Sequence, residues 1–424
     1  MSTDIKIYKP KNHVRVVTAT SLFDGHDAAI NIMRRILQDT GVEVIHLGHN
    51  RSVQEIVDAA IEEDVQGVAV SSYQGGHIEF FKYLVDLLKE REAPHIKVFG
   101  GGGGVIVPEE IRILESYGVT KIYSPEDGAR LGLQGMVNHI VECLDFSTVK
   151  EDGISFEDLA PQSKLRVANL ITAAEQAKAR EDGHLAALRA EMAKKIGGRK
   201  TPVIGITGTG GAGKSSLTDE VILRILHDLK DIHVAVISCD PSRRKTGGAL
   251  LGDRIRMNVI GNPRLYLRSL ATRQSPSEIP AVLPDAVAAL KAAGFDLIIA
   301  ETAGIGQGDS SIADLVDISI YVMTSEFGAA SQLEKIDMLD FADLVVVNKF
   351  EKRGGEDAVR DVRKQVQRNR KAFDRDPTAM PVFGTIASKF NDDGVTALYC
   401  AILDTIHSKT GIKYEPRITR PETK

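Results

Sequence analysis

The first third of the chain alternates between two hydrophobic patterns. Short runs rich in valine and isoleucine alternate with longer segments whose apolar residues recur at helical spacing, as in residues 78–89. This alternation predicts a doubly wound parallel sheet, an α/β fold with helices on both faces. The predicted strands are Val14–Thr18, Val42–Leu47, Gly67–Val70, Ile96–Phe99 and Lys121–Tyr123, and five such strands predict a flavodoxin-like order.

The pattern changes between residues 146 and 200. This stretch is rich in Ala, Glu, Lys and Arg, with apolar residues at helical intervals, and it ends in Gly197-Gly198-Arg199-Lys200. It predicts a helical linker after a first domain spanning residues 1–145.

A second alternating α/β unit follows over residues 201–410. Its predicted buried strands are Pro202–Ile206, Val234–Ser238, Leu297–Glu301, Ile318–Met323 and Leu344–Val347. Residues 411–424 carry two prolines, alternating charges and few apolar residues, which predicts a tail or linker with a frayed end.

Composition narrows the class of protein. A chain of 424 residues with 43% hydrophobic and 26% charged residues is typical of two or three globular domains. The net charge of −5 argues against a nucleic-acid partner. Three scattered cysteines without metal-ligand spacing, the absence of a signal-peptide pattern and the absence of an apolar run near about 18 residues predict a cytoplasmic protein without a membrane partner.

A phosphate-binding loop opens the second unit. The sequence from Gly208 to Ser215 matches G-x-x-x-x-G-K-[ST], directly after a strand and before an amphipathic helix. Backbone N–H groups of such a loop surround phosphates, the lysine reaches the terminal phosphates, and the hydroxyl binds magnesium. The predicted nucleotide contacts are Gly208, Gly210, Gly211, Ala212, Gly213, Lys214, Ser215 and Ser216.

Acidic residues at strand ends supply what a magnesium nucleotide site needs. Asp240 ends the run VAVISCD, Asp253 lies in GGALLGDRIRM, and Glu301 ends FDLIIAE, followed by Thr302 as a further predicted magnesium ligand. A single aspartate at a strand end is usually a cap, but three acids beside a complete phosphate loop predict a magnesium site. Lys214, Asp240 and Glu301 are the predicted catalytic groups for hydrolysis.

Base selection is predicted from Asn348-Lys349-Phe350-Glu351. In guanine-nucleotide-binding proteins, the pattern Asn-Lys-x-Asp uses its carboxylate to accept hydrogens from guanine. Glu351 stands in place of the aspartate and keeps the chemistry on a longer stem, so guanine is predicted and the affinity stays open. Ser388 and Lys389, in Ala387-Ser388-Lys389, resemble the loop that backs the base.

The runs DPSRRKTGGALLGDRIRM and ETAGIGQGD extend this resemblance. Together they resemble the G-protein chaperones of cobalamin-dependent acyl-CoA mutases over nearly all of residues 200–410. The resemblance implies that Asp240, Asp253 and Glu301 share magnesium with Ser215, and that Arg256 approaches the phosphates. It also implies mobile switches around 241–256 and 301–310.

The first domain carries a histidine at the carboxyl edge of its predicted sheet, where ligands of open α/β sheets bind. His26 follows strand Val14–Thr18, and Asp24 could orient its ring for metal binding. The alternative is a surface-loop histidine near a helix start, and His26 alone does not exclude it.

Two further segments follow strands on this edge: residues 70–76, with Ser71 and Ser72, and the five glycines 100–104, with Gly101 and Gly102. Five consecutive glycines favour the close passage of a bulky ligand. Asp-x-His-x-x-Gly, then Ser, then Gly-Gly resembles the cobalamin-binding domain of base-off mutases, with Ala29 at the final glycine. This resemblance implies that His26 is the lower ligand of cobalt and that Asp24, Ser71, Ser72, Gly101 and Gly102 surround adenosylcobalamin.

The order of the domains resembles the N-terminal part of the fused isobutyryl-CoA mutase family. A mutase also needs a substrate barrel of about 250 residues, for which no room remains after the second unit. The resemblance implies an acyl-CoA mutase barrel domain or subunit as partner, a homo-oligomer, and a cobalamin adenosyltransferase as a further partner.

Three functions remain open at this point. The first is a GTP hydrolase that gates adenosylcobalamin loading and protection of the mutase. The second is a non-catalytic corrinoid carrier or sensor with a nucleotide-sensing domain. Catalytic release of phosphate from GTP would distinguish the first function from the second. The third, a metal-insertion GTPase, would require a His- or Cys-rich segment, which the sequence lacks.

Overall fold

The computed structural model describes residues 5–149, 154–180, 183–273, 275, 279–304, 311–327 and 333–421, without the side chain of Asp253. The chain forms two compact units. Unit 1 comprises Met1–Leu159, Ser163–Ala186 and Asp240–Ile255, and unit 2 comprises Ala160–Gln162, Ala187–Cys239 and Arg256–Lys424. The predicted linker is therefore divided between the units, and a stretch from within the predicted second domain belongs to unit 1.

The elements follow one another along the chain as strands and helices. In order they are β1 (Arg15–Ser21), α1 (Ala28–Asp39), β2 (Glu43–Arg51), α2 (Val53–Glu62), β3 (Gly67–Ser71), α3 (His77–Glu90), β4 (Lys97–Gly101), α4 (Pro108–Tyr117), β5 (Lys121–Tyr123), α5 (Pro125–Leu144), α6 (Lys164–Arg180), α7 (His184–Ile196), β6 (Val203–Gly208), α8 (Lys214–Asp228), β7 (Val234–Asp240), β8 (Ala249–Leu251), β9 (Leu265–Ala271), α9 (Leu283–Ala293), β10 (Leu297–Thr302), β11 (Ile318–Thr324), α10 (Met338–Phe341), β12 (Leu344–Asn348), α11 (Gly355–Asn369), β13 (Val382–Thr385) and α12 (Asp393–Thr410). Short 3₁₀ turns lie at Gly103–Val105, Asp253–Arg256, Ser311–Asp314, Ser325–Phe327 and Pro377–Ala379.

Unit 1 is built on a parallel sheet. Over the described residues its strand order is β5-β4-β3-β1-β2-β8, which contains the predicted flavodoxin-like order with one strand added beside β2. Every recorded pair in it is parallel. One face packs apolar residues of the strands against α1 and α5, including Val16, Val44, Leu37 and Val141. The predicted α/β class is confirmed.

Local signals fix where helices of unit 1 begin. Ser52 caps α2 by accepting a hydrogen bond from the Glu55 amide, while the Glu55 side chain accepts one from the Ser52 amide. Ser124 and Asp127 form the same reciprocal pair at the start of α5. Each cap is the single residue between a strand and the following helix, so β2 passes directly into α2 and β5 into α5.

Unit 2 contains a second sheet with the order β13-β12-β11-β6-β10-β7-β9 over the described residues. The recorded pairs from β13 to β7 are parallel. Its core lies between the strands and the apolar faces of α8 and α12, with Leu217, Val221, Leu398 and Ile402 buried. The strand β6, which leads into the phosphate-binding loop, is therefore central and flanked on both sides.

The tail makes more contacts than its composition indicates. Ile412, Tyr414 and Ile418 pack against the core of unit 2. The Tyr414 hydroxyl donates to the Asp296 carbonyl oxygen at 2.9 Å, and the Arg417 and Ile418 amides donate to Asp228. The described part of the tail is thus attached to unit 2. No helix among the described residues is long and apolar enough to cross a bilayer.

Candidate functional sites

The phosphate-binding loop takes a backbone course that requires glycine at two points. Gly208 ends β6 with φ 150°, and a Cβ there would lie 1.9 Å from the Val322 carbonyl oxygen. Gly213 precedes α8 with φ 86°, and a Cβ there would lie 2.7 Å from Asn348 Nδ2. The loop therefore leads from the central strand into the N-terminus of α8, as the motif predicts.

Lys214 and Ser215 are both buried at the start of α8. Lys214 Nζ donates to the carbonyl oxygens of Gly208 and Thr209 at 3.1 and 3.2 Å, which keeps the ammonium group inside the loop. Ser215 Oγ donates to Glu301 Oε1 at 2.7 Å. Among the described residues, the buried Thr209 hydroxyl has no hydrogen-bond partner. An ammonium, a hydroxyl and a carboxylate thus meet where phosphate and magnesium are expected.

Of the remaining predicted magnesium residues, Thr302 and Asp240 lie at strand ends of the second sheet, and Asp253 lies outside its strands. Thr302 pairs with Cys239 in register, so Asp240 comes one residue further along β7 at the end of the neighbouring strand. The Thr302 hydroxyl donates to the Thr207 hydroxyl at 2.8 Å. Asp253 lies in a 3₁₀ turn, with its side chain outside the described atoms. Within the described ranges, no three His, Cys, Asp or Glu side chains form a group that could hold a metal ion.

The predicted switches are described only in part. Residues 241–256 lie within the described chain, and Arg256 at their end is exposed. Of residues 301–310, those from 305 to 310 lie outside the described residues. Gly304, the last one described, has φ 66°, and a Cβ there would lie 1.8 Å from the Gly208 carbonyl oxygen. The approach of this segment to the phosphate-binding loop therefore depends on glycine.

Two of the predicted base-selecting residues hold the phosphate-binding loop. Asn348 Nδ2 donates to the Ala212 carbonyl oxygen at 2.8 Å, and Lys349 Nζ donates to that of Gly211 at 2.7 Å. Asn348 Oδ1 accepts hydrogen bonds from the Thr385 hydroxyl and the Ala387 amide, at 3.0 and 3.2 Å. The base-side and phosphate-side motifs are therefore physically joined. The further predicted residues Glu351, Ser388 and Lys389 are exposed.

His26 in unit 1 is held by a buried carboxylate. Asp24 Oδ1 lies 2.9 Å from His26 Nδ1 and also accepts the His26 amide at 2.9 Å. Asp24 Oδ2 accepts the Tyr73 amide at 2.6 Å. The His26 side chain is 77% exposed, whereas that of Asp24 is 0% exposed. The ring is thus fixed through one nitrogen while most of it faces outward, and orientation by a carboxylate in this way is common among histidines that bind metals.

Asp24 remains a carboxylate in this setting. Burial alone raises its pKa, but hydrogen bonds from the Tyr73 and His26 amides, together with the His26 ring, outweigh burial and lower the pKa below its usual value. A charged Asp24 makes the attached imidazole a stronger donor to a metal.

The loops after β3 and β4 are packed against each other. The Ser72 amide donates to the Gly101 carbonyl oxygen at 2.8 Å, and the Ser72 hydroxyl accepts from Ser21 at 2.8 Å. A Cβ on Gly102 would lie 2.0 Å from the Ser72 carbonyl oxygen. The glycine run therefore lets two backbones approach closely, beside the loop that carries Asp24.

A cavity of about 370 Å³ opens at this edge. Apolar side chains such as Ile30, Met33 and Phe99 line it, together with Ala29, the predicted Ser71 and residues of the glycine run. The buried Ser71 hydroxyl has no hydrogen-bond partner among the described residues. Tyr73 also lines the cavity, with its ring centroid 5.8 Å from that of His26. The cavity therefore offers space for an apolar ring system and one free polar group beside a fixed histidine.

Sequence reasoning missed two parts of these sites. Tyr73 fixes Asp24 through its backbone amide, which no side-chain pattern reveals. Gly304 was part of a recognised run, but only its contact with Gly208 shows why glycine is needed there.

Comparisons with known proteins identify the family of each of the two domains. A family model described as "Methylmalonyl Co-A mutase-associated GTPase MeaB" matches residues 167–421, and one described as "B12 binding domain" matches residues 14–128. The chain is 60% identical over 412 residues to a fused isobutyryl-CoA mutase of Geobacillus kaustophilus, and 60% identical over 408 residues to one of Cupriavidus metallidurans. A putative GTPase of Pyrococcus abyssi is 39% identical over 155 residues, which are 36% of this chain and 47% of that protein.

The matches to the two fused mutases cover 96% of this chain but only 38% and 37% of the relatives. The phosphate-binding loop and the His26 site fall inside the two ranges matched by the family models. The resemblance inferred from the sequence is confirmed: the chain belongs to the family of methylmalonyl-CoA mutase-associated GTPases and carries a B12-binding domain ahead of its GTPase domain.

Proposed function

We propose that this chain is the cofactor-handling part of a cobalamin-dependent acyl-CoA mutase, in which GTP hydrolysis gates the loading and protection of adenosylcobalamin. Isobutyryl-CoA and butyryl-CoA are the proposed substrates of the complete mutase, because two relatives that match 96% of this chain are fused isobutyryl-CoA mutases. A barrel domain or subunit would supply the isomerase site, and a cobalamin adenosyltransferase and further copies of the chain are proposed partners. The proposed location is the cytoplasm.

The observation that carries the proposal is the contrast between His26 and Asp24. A ring 77% exposed is attached to a carboxylate 0% exposed, and both lie near an apolar cavity. In this proposal His26 would coordinate the cobalt of adenosylcobalamin, and Ser71, Ser72, Gly101 and Gly102 would surround the cofactor. Adenosylcobalamin, when bound, supplies radical chemistry. The protein holds the imidazole in place and keeps water from the apolar cavity.

For the nucleotide, the proposed ligands divide into three groups. Residues 208–216 and Arg256 bind the phosphates. Ser215, Asp240, Asp253, Glu301 and Thr302 provide the magnesium ligands, directly or through water. Asn348, Lys349, Glu351, Ser388 and Lys389 form the guanine side. The Ser215–Glu301 hydrogen bond of 2.7 Å supports a common magnesium site, because hydroxyl and carboxylate oxygens are ligands that this ion prefers.

A reciprocal pair of variants tests the proposal. His26→Ala should bind adenosylcobalamin weakly, with a base-on or water-ligated visible spectrum, while GTP hydrolysis continues, because the phosphate-binding loop lies in the other unit. Lys214→Ala should lose GTP hydrolysis by about a hundredfold or more, because the ammonium no longer neutralises the terminal phosphates, yet keep the wild-type cobalamin spectrum. Phosphate release and the visible spectrum are measured for both.

His49→Ala is the matched control, because His49 is an exposed histidine of the same unit. It should behave as wild type in both assays. A wild-type spectrum and affinity in His26→Ala would remove the cobalamin assignment and leave only the GTPase. Turnover of Lys214→Ala within about twofold of wild type would contradict the assignment of hydrolysis to the phosphate-binding loop, whereas a wild type that releases no phosphate would favour the sensor alternative.

A further inference from the structure

The stretch Asp240–Ile255 belongs to unit 1, although the residues before and after it belong to unit 2. Within this stretch, β8 lies parallel to β2, with Glu43 opposite Ala249 and Ile45 opposite Leu251. The Ala249 amide donates to the Val42 carbonyl oxygen at 3.2 Å. Residues 240–255, named here the inserted segment, therefore provide the edge strand of the cobalamin-binding sheet.

The inserted segment also holds the C-terminal end of α1. Thr246 Oγ1 donates to the Gln38 carbonyl oxygen at 3.1 Å, and Arg243 forms an ion pair with Asp39. A Cβ on Gly248 would lie 2.1 Å from the same Gln38 oxygen. This contact is close enough that only glycine fits without displacement of one backbone.

A buried ion network forms the third attachment. The Arg254 side chain is 1% exposed and pairs with Glu62 at 2.7 Å and Glu63 at 3.1 Å. Glu62 also pairs with Lys164, and Glu63 with Arg15, each at 2.6 Å. Buried charges of this kind need their partners, so the position of Arg254 is tightly specified.

The α1 helix connects these attachments with the cofactor site. It begins at Ala28, two residues after His26, and its residues Ile30, Met33 and Leu37 line the cavity. A helix moves largely as a rigid body, so a shift at Gln38 and Asp39 moves the cavity wall and the His26 loop.

The ends of the inserted segment carry the proposed nucleotide-sensing acids. Asp240 is its first residue, and Asp253 lies near its end. In GTPases, segments that hold magnesium and the terminal phosphate are ordered by the triphosphate and released on hydrolysis. The nucleotide state would therefore act on a segment whose middle belongs to the cobalamin-binding sheet.

We propose that the inserted segment is the coupling element between nucleotide and cobalamin: the nucleotide at its ends sets how β8 and Arg254 are seated beside β2 and α2, and thereby sets the affinity of the His26 cavity for adenosylcobalamin. This inference rests on the proposed function. Because coupling between two sites is reciprocal, cobalamin must change nucleotide affinity by the same factor.

The test compares two variants of the full chain with a matched control. Arg254→Met removes the buried guanidinium, and Gly248→Ala pushes the inserted segment away from Gln38. Lys245→Met removes a charge from an exposed position of the same segment. Adenosylcobalamin affinity is measured from the visible spectrum with GDP and with a non-hydrolysable GTP analogue. Affinity for both nucleotides is then measured with and without cobalamin, and circular dichroism confirms folding.

Wild type and Lys245→Met should show an affinity ratio between the two nucleotides of about fivefold or more, whereas Arg254→Met and Gly248→Ala should bring it to within about twofold of one. If Arg254→Met does not fold, Gly248→Ala and Thr246→Val decide the outcome. Wild-type coupling in the folded variants, or no coupling in a wild type that binds both ligands, overturns the inference. A wild type that binds no cobalamin or hydrolyses no GTP contradicts the proposed function itself.

Discussion

At the scale of single residues, the predicted base-selecting motif divides into two residues that hold the phosphate-binding loop, Asn348 and Lys349, and one exposed residue, Glu351. Asn348 and Lys349 both donate to carbonyl oxygens of the phosphate-binding loop, so replacing either would disturb the loop as well as the proposed contact with the base. Glu351 is exposed in the turn that follows them. Its carboxylate can therefore be changed with little effect on the fold, which makes it the cleanest probe of guanine selection.

We expect Glu351→Asp to tighten GTP binding by about 1 kcal/mol, or about fivefold in Kd, without admitting ATP. The carboxylate that accepts hydrogens from guanine is kept, and its shorter stem restores the usual Asn-Lys-x-Asp spacing. Equilibrium binding of fluorescent GTP with ATP as competitor measures both effects. Glu356→Asp, the same substitution at another exposed position, should change neither, and equal competition by ATP would refute the base assignment.

At the scale of elements, the sheet edge that carries the proposed cobalamin site depends on how closely two loops approach. The loop after β4 packs against the loop after β3, and a Cβ on Gly102 would lie 2.0 Å from the Ser72 carbonyl oxygen. The φ of Gly102 is −159°, outside the left-handed region that favours glycine, so the requirement for glycine is inferred here from the lack of space for a Cβ.

Gly102→Ala should therefore destabilise unit 1 by about 2 kcal/mol, because two packed backbones must separate, and it should weaken cobalamin binding. Gly104→Ala is the matched control, since among the described residues no atom lies within 4 Å of a Cβ at Gly104. Urea unfolding and cobalamin titration compare the two variants. Equal stability of both would mean that the loops accommodate a methyl group.

The strands show which elements could be predicted from the sequence and which could not. Buried parallel strands read as continuous apolar runs, so β1, β3, β6, β10 and β12 were found within a few residues of their bounds. The strand β9 was missed because Arg268, fully buried, interrupts its apolar run. The strand β8 was missed because three residues become a strand only beside β2, about two hundred positions earlier.

The site residues divide in the same way. Lys214, Ser215 and Glu301 were predicted together, because a motif fixes the first two and a strand end the third, and the structure brings them together. The orientation of His26 was also anticipated from Asp24. The Tyr73 amide and the attachment of Arg254 to Glu62 and Glu63 depend on tertiary contacts that have no local pattern.

At the scale of the whole chain, the described part of the tail packs against the core of unit 2. Asp228, at the end of α8, accepts hydrogen bonds from the Tyr399 hydroxyl and from two tail amides. Burial, with Asp296 nearby, raises the pKa of Tyr414 to about 12, so its hydroxyl keeps its proton and donates to the Asp296 carbonyl at neutral pH. The tail therefore stabilises the core around α8 and α12.

Replacing Tyr414 with alanine should lower the free energy of unfolding of unit 2 by about 2 kcal/mol, because a partly buried ring and a hydrogen bond are lost. Lys413→Ala, at the neighbouring position, should change it by less than about 0.5 kcal/mol, since the ion pair of Lys413 with Glu415 is exposed to solvent. Thermal unfolding is measured with and without saturating GDP, and the transition that GDP shifts to higher temperature is assigned to unit 2. Identical melting curves for both variants would show that the tail contributes nothing.

The late position of β8 in the chain also affects how the protein is made. The other five strands of the first sheet leave the ribosome long before residue 249, so β2 is an open edge during much of synthesis. An unpaired strand edge offers its backbone groups to any other nascent chain, which is a common route to aggregation. Each new molecule thus passes through an interval of exposure that ends only when residues 240–255 have been translated and have taken their place beside β2.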